Sequence, residues 1–328
     1  MTVKRRMFFH MAALVPGVSD IPAIRNFIAK HRTGTKGTDS ARYCYSVWLR
    51  HLVKAFESGR DTHPRIIAEL GPGDSLGTGI AALLSGASRY YAFDVVEHAS
   101  TERNVAILHE LVALFRSRSA IPDAAEFPNV IPGLESYAFP RHILSDETLN
   151  AALEDERVRL IEASLRGRAS NDSLIQYRAP WFGSSVIEQG TVDMIFSQAV
   201  LEHVDDLPGV YRAMNLWLKP GGIMSHSIDF KSHGMAKEWN GHWTHSDLKW
   251  RLIRGKDSWL INREPHSTHL RLLEQAGFRV ICHIPGRGAS LVNRSALAAR
   301  FRNMTEDDLT TTHVFLQAAS SGAAVGPA

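Results

Sequence analysis

Between positions 226 and 245 the chain gathers His226, Asp229, His233, Trp239, His242, Trp243 and His245. Imidazole and carboxylate groups move protons, and a hydroxyl must lose its proton to a base before or while it attacks an electrophilic carbon. Asp229, His226 and His233 are therefore the candidate catalytic residues. His226 sits in I-M-S-H-S-I-D-F with Met224 and Ile228 on its own strand face, so it reads equally as a core histidine. Asp229 falls on the opposite face by strand alternation. Trp239, His242, Trp243 and His245 are the candidate substrate contacts, with indole rings suited to stacking on sugar faces. The spacing matches no usual zinc pattern, and no metal is expected.

A second constellation lies in A-E-L-G-P-G-D-S-L-G, where Gly71, Pro72 and Gly73 form a turn that lets the backbone approach a ligand. Asp94 ends the next strand, 21 residues after Gly73, where a carboxylate can accept from both hydroxyls of a ribose. On these residues alone a nicotinamide dinucleotide fits as well as any other adenosine cofactor. Glu69, at the end of the preceding strand run, either lines the ligand or ties down the turn as a buried acid.

These groups need a frame. R-I-I-A-E-L, the glycine turn, I-A-A-L-L-S-G-A and R-Y-Y-A-F-D-V read as strand, turn, helix, strand, which is a βαβ unit with parallel strands. Upstream, Tyr45, Trp48, Leu52 and Phe56 recur at helical spacing. A helix is expected from Thr101 to Arg118, and strands over S-L-I-Q-Y-R-A-P-W and V-D-M-I-F-S. A further helix from about Pro208 to Leu218 stops at K-P-G-G. The strand holding His226 follows, then a helix capped by Ser267 and ended by Gly277, then the strand F-R-V-I-C-H.

The division expected is a helical N-terminal extension over 1–62, a main domain over 63–318 and a disordered tail over 319–328. Residues 119–172 are a helical insertion over the active-site edge, since a structureless connection of that length is unusual in a compact domain. K-R-R followed by M-F-F-H-M-A-A-L-V is read as a short helix, not as a signal peptide.

The progression V-D-M-I-F-S-Q-A-V-L-E-H-V, then a helix ending L-K-P-G-G, then a strand, resembles the class I S-adenosylmethionine (SAM) dependent methyltransferases of the type 11-like branch. The resemblance covers about Arg65 to His283, less the insertion. It implies an α/β, Rossmann-like, mostly parallel sheet of seven strands, the last antiparallel, with helices on both faces. SAM is then the cofactor. Glu69, Gly71, Pro72 and Gly73 would line its methionine and ribose portions, Asp94 would hold the ribose hydroxyls, and Val95 would lie beside the adenine. Ser197 and Gln198 would sit near the methionine end, with His203 beside the cofactor.

One position departs from the family. Many relatives carry an acid after the third strand to meet the adenine amino group, whereas Q-Y-R-A-P-W stands here. Tyr177, Arg178 or Ala179 takes that place, and Ala179 is the cofactor candidate. Glu202 and His203 resemble a magnesium-binding pair of ubiquinone-pathway O-methyltransferases, but Ala199 replaces the further carboxylate of those enzymes. They are read as a helix-start pair.

The C-terminal half, with S-H-S-I-D-F, W-N-G-H-W and I-N-R-E-P-H-S, resembles methyltransferase-like proteins associated with bacterial surface-polysaccharide synthesis. That likeness implies O-methylation of a sugar or glycan hydroxyl, or of another polar small molecule. A SAM-binding regulatory protein without activity and an NAD(P)-dependent dehydrogenase are the alternatives.

With 37 basic and 34 acidic residues, a net charge of +3 and no block of like charge, nothing predicts nucleic-acid binding. No stretch approaches the ~20 apolar residues of a membrane span, so no stable membrane insertion is expected. Two distant cysteines, Cys44 and Cys282, form no disulfide framework and are read as buried thiols in a reducing, cytoplasmic setting. Oligomeric state is not legible.

Overall fold

The computed structural model describes residues 37–167, 173–181, 183–255 and 260–320. The expected N-terminal helix of the first residues lies outside them, as does 321–328 of the expected tail.

Seven strands form one sheet in the order β3-β2-β1-β4-β5-β7-β6. They are β1 (Ile66–Leu70), β2 (Arg89–Phe93), β3 (Ile175–Arg178), β4 (Val192–Gln198), β5 (Leu218–Asp229), β6 (Phe278–Arg287) and β7 (Thr311–Ser320). Neighbours from β3 across to β5 pair in parallel, while β7 runs antiparallel to both β5 and β6. The expected mostly parallel seven-stranded sheet is the one observed. Its central strands are apolar on both faces because helices cover both.

One face carries α1 (Ala41–Glu57), α2 (Gly77–Leu84) and α3 (Thr101–Arg116). Tyr45, Trp48 and Leu52 of α1 are essentially fully buried there, as the helical spacing predicts, but Phe56 at the end of the stripe is exposed. Gly79 lets α2 press onto β2, since a Cβ there would lie 2.0 Å from the Tyr90 ring. The other face carries α6 (Leu207–Trp217) and, after α7 (Asp247–Arg254) in the chain, α8 (His266–Gln275), with Tyr211, Met214, Trp217 and Leu273 in its core.

Three local expectations need correction. Ser267 is the second residue of α8 and does not cap it; the Asp308 carboxylate does, accepting from the Ser267 amide and hydroxyl at 2.8 Å each. Ser320 and Ala319 belong to β7, so the sheet takes the first two residues assigned to a tail. Cys44 is buried, but Cys282 is only partly so.

The insertion divides in two. Its helices, α4 (Asp146–Ala152) and α5 (Asp155–Arg166), pack against α2 and α3, away from the sheet's carboxyl edge. Its non-helical first part is the portion that reaches that edge. Arg50 of α1, 1% exposed, holds this part by donating to the carbonyls of Pro122 (2.9 Å), Val130 (3.0 Å) and Pro132 (2.6 Å). Tyr45 and Ser46 add hydroxyl donations to the Ser119 and Pro122 carbonyls at 2.7 and 2.9 Å. One buried guanidinium thus supplies the donors that a chain without secondary structure cannot supply for itself. Among the described residues no helix is long and apolar enough to cross a membrane.

Candidate active site

The glycine turn joins β1 to α2 with Gly71 at φ +64 and Gly73 at φ +74, a region that side chains disfavour. A Cβ on Gly71 would fall 2.5 Å from the Val200 side chain. The Asp94 carboxylate, at the end of β2, accepts from the Gly73 amide at 3.3 Å and the Val95 amide at 2.7 Å. Burial raises its pKa, against which those amides work. Val95 is 58% exposed, an unusual position for a valine at a strand end.

Glu69 is 4% exposed, and its carboxyl takes the Tyr90 hydroxyl together with contacts from Thr78 and Gly79 at the start of α2. Burial pushes its pKa up to about 8. The acid thus faces the helix beneath the turn. Ala179 follows β3, beside Trp181, whose amide donates to the Asp94 carbonyl at 3.2 Å.

At the carboxyl ends of β4 and β5 opens a cleft of about 650 Å³. Gln198, Ser227, Asp229, His233, Trp239 and His313 line its sheet side. Tyr43 at the start of α1 and Pro128 to Ile131 of the insertion form the opposite wall. Arg50 therefore shapes the cleft at one remove. Ala199 and His233, both lining it, are non-glycine residues at φ +55 and +47. Such backbone persists only where the surroundings hold it.

Within the cleft Asp229 sits opposite His313 in the β5–β7 register. Its Oδ1 accepts from the Lys231 amide at 2.9 Å, and Oδ2 lies 3.3 Å from Lys231 Nζ and 3.4 Å from His233 Nε2. Burial pushes this carboxyl up, but the His233 contact, the Lys231 charge and the Lys231 amide together outweigh it, leaving a pKa of about 2. The group is an anion at neutral pH. Beneath it Glu202, 3% exposed, accepts the Asp229 amide at 3.3 Å through Oε1, and burial raises its pKa well above the usual range.

The other sequence candidates fall outside the opening. His226 is 0% exposed, its Nδ1 2.7 Å from the Ser197 hydroxyl, so Ser197 and His226 occupy each other in the core. His242 and Trp243 are 1% exposed, and the Trp243 indole donates to the Arg263 carbonyl at 3.0 Å. His245 holds the Met235 carbonyl at 3.3 Å. These three support the loop from beneath, and Trp239 alone of the loop quartet lines the cleft. The His203 ring lies near that of His233, centroids 5.2 Å apart and planes tilted by 56°. Tyr43, Lys237 and His313 are cleft residues that the motifs did not flag; Tyr43 lies off the apolar stripe of α1, which was the available signal.

A glycine turn between strand and helix, an acid closing the next strand and a cleft at the carboxyl edge define a Rossmann-like cofactor enzyme. A family model described as "Methyltransferase domain" matches residues 76–283, and the chain belongs to that family. It is a methyltransferase whose cofactor is S-adenosylmethionine, and the glycine turn, Asp94 and exposed Val95 fit that group.

Similar solved structures include a SAM-dependent methyltransferase from Mesorhizobium loti, 13% identical, covering 78% of this chain and 90% of that one, with a TM-score of 0.37. Phosphoethanolamine N-methyltransferase 2 from Haemonchus contortus, in complex with SAM, is 11% identical over 86% of this chain and 57% of its own, TM-score 0.40. Geranyl diphosphate C-methyltransferase from Streptomyces coelicolor is 12% identical over 82% and 77%, TM-score 0.39. No curated protein matches.

Proposed function

We propose that the chain transfers the SAM methyl group to a hydroxyl of a sugar, a glycan or another polar small molecule, with His233 as general base and Asp229 as its orienting partner. The observation that carries this reading is the Asp229–His233 pair facing a cleft at the carboxyl edge of β5. SAM, when bound, supplies a methyl group already activated by its sulfonium. What remains for the chain is to place the acceptor and take its proton.

A carboxylate held near pKa 2 is a poor base at neutral pH but a good anchor for an imidazole. With the proton on Nε2 toward Asp229, Nδ1 of His233 is free to accept one from the acceptor hydroxyl. Charge that develops on the imidazolium is then offset by the neighbouring carboxylate. His226 has no such role in this reading, being walled off behind Ser197. Trp239 offers a ring to an acceptor face, while His242, Trp243 and His245 support the loop that carries it.

On the cofactor side, Gly71, Pro72 and Gly73 would admit the methionine and ribose portions and Asp94 would hold the ribose hydroxyls. Val95 and Ala179 would flank the adenine, Gln198 and His203 would border the methionine end, and Glu69 would act through the turn it braces. Residues 63–318 form the methyltransferase domain in this reading, with the insertion as a wall of the acceptor cleft. A role in surface-polysaccharide synthesis fits a hydroxylated acceptor.

The test is incubation with methyl-labelled SAM and a panel of sugar nucleotides, glycans and phenols. Label on a saccharide is the expected result. Failure of every saccharide alongside transfer to a phenol would overturn the acceptor assignment, and no SAM binding by calorimetry would overturn the cofactor roles.

A further inference from the structure

The acceptor cleft carries more positive charge than its one carboxylate uses. Two ammonium groups, Lys231 and Lys237, line it with Asp229. Asp229 is already served by the Lys231 ammonium and amide and by His233. Lys237 has no ion pair and no hydrogen bond among the described residues. The nearest acid in sequence, Glu238, is turned away: its Oε2 would lie 3.3 Å from a Cβ on Gly241, outside the cleft.

Lys237 also springs from a braced loop. The Ser232 amide donates to the Trp239 carbonyl at 2.6 Å, closing the loop at its base. Inside it the Met235 amide donates to the Ser232 carbonyl at 2.8 Å, around a turn with His233 at φ +47 and Gly234 at φ +77. His245 fixes the Met235 carbonyl from below, and the Trp239 indole donates to the Ala289 carbonyl at 2.9 Å. A cation on a scaffold that is already ordered loses less entropy on meeting an anion than one on a free chain. The turn also leaves the His233 and Gly234 amides without acceptors among the described residues.

We propose that the methyl acceptor carries an anionic group, a phosphate or a carboxylate, received by Lys237 with Lys231 while its hydroxyl faces His233. The inference rests on the assignment of this cleft to the acceptor. The carboxylate of the cofactor is the competing occupant, and the topology argues against it. Gly71, Gly73 and Asp94 stand at the ends of β1 and β2, whereas the Lys237 loop leaves β5 and is tied beyond β6 through Trp239. An acceptor gripped at one end by charge and at the other by a base is aligned for transfer without many further contacts.

Pyrophosphate is the probe, titrated by calorimetry at constant ionic strength into the full chain, with and without saturating S-adenosylhomocysteine. We expect saturable binding, weakened at least tenfold by Lys237→Gln and further by Lys231→Gln with Lys237→Gln, and compatible with bound S-adenosylhomocysteine. Absence of saturable binding, or binding indifferent to Lys237→Gln, overturns the inference. Competition with S-adenosylhomocysteine would assign the site to the cofactor and overturn it as well. S-adenosylhomocysteine affinity, read in the same cell, is a separate outcome: its absence would sink the cofactor assignment while the pyrophosphate titration still decides the anion site.

Discussion

Strand β5 and the loop that leaves it present two histidine environments, and they behave as different chemical species. His226 points into the core beside Ser197, fully enclosed, and burial with smaller effects of His51 and His269 lowers its pKa to about 3. His233 lies just past the strand's carboxyl end, partly open to a cleft, with a carboxylate held ionised at 3.4 Å. The same side chain is packing material in one place and a proton acceptor in the other. What separates them is strand face and distance from the strand end, since a base must reach solvent-accessible substrate and a core group must not.

The sharpest way to break this contrast is His233→Asn, chosen because asparagine tolerates the left-handed backbone at that position. Turnover on the acceptor found by the labelling panel should fall by about 10²–10⁴, the usual worth of a general base. S-adenosylhomocysteine affinity should stay within about threefold. An unchanged rate would remove His233 from the chemistry. Asp229→Asn should cost less, about 10², because the amide keeps an oxygen for the Lys231 amide but loses the charge behind the imidazole. Full turnover in that variant would show that His233 needs no orienting anion.

The cleft's far wall gives a stability test on the same footing. Arg50→Met leaves the Val130 and Pro132 carbonyls without their donor and the Pro122 carbonyl with the Ser46 hydroxyl alone, and hydrogen bonds to a charged group contribute about 1.5–3 kcal/mol each in favourable cases. Allowing for relaxation, a loss of about 2–4 kcal/mol in denaturant unfolding is expected. KM for the acceptor should rise more than kcat falls, since the wall shapes binding and holds no proton-transfer group. Wild-type stability in this variant would mean that the insertion is held by its other contacts.

The two histidine environments also mark where the sequence was legible. Alternation along β5 separates His226 from Asp229 correctly, because period two is a local property. The glycine turn, the succession of strands and helices along the chain and the helix faces follow from equally local signals. The supporting roles of His242, Trp243 and His245 are not local: they depend on Arg263 and Met235 packing from other segments. Arg50 is illegible for the same reason, as its three carbonyl partners lie 72 to 82 residues away. The expected Ser267 cap failed because a better acceptor, Asp308, arrives from 41 residues downstream. Lys237 carried no motif at all, and only the loop closure at Ser232 and Trp239 puts it in the cleft.

The smallest expected effect concerns the core member of the pair and its pH dependence. His226 has a folded-state pKa of about 3, below the ordinary 6.5. The unfolded chain therefore binds a proton between those values that the folded chain refuses, and stability must decline as pH falls below about 6.5. The contribution is present above that pH and erodes toward 3. One such group can account for at most about 1.4 kcal/mol per pH unit, and His51 and His269, also near 3, add to the slope in the same direction. His226→Gln removes one titration while keeping a partner for Ser197. Its unfolding free energy should run closer to flat between pH 6.5 and 5 than the wild type's, by about 1.6 kcal/mol over that span. Asp229 does not blur the reading, since its depressed pKa of about 2 confines its own loss to below its unfolded value of 3.8. Parallel pH curves for the two proteins would mean that His226 is protonated or hydrated in the folded state, and the contrast between the two histidines would then lose its physical basis.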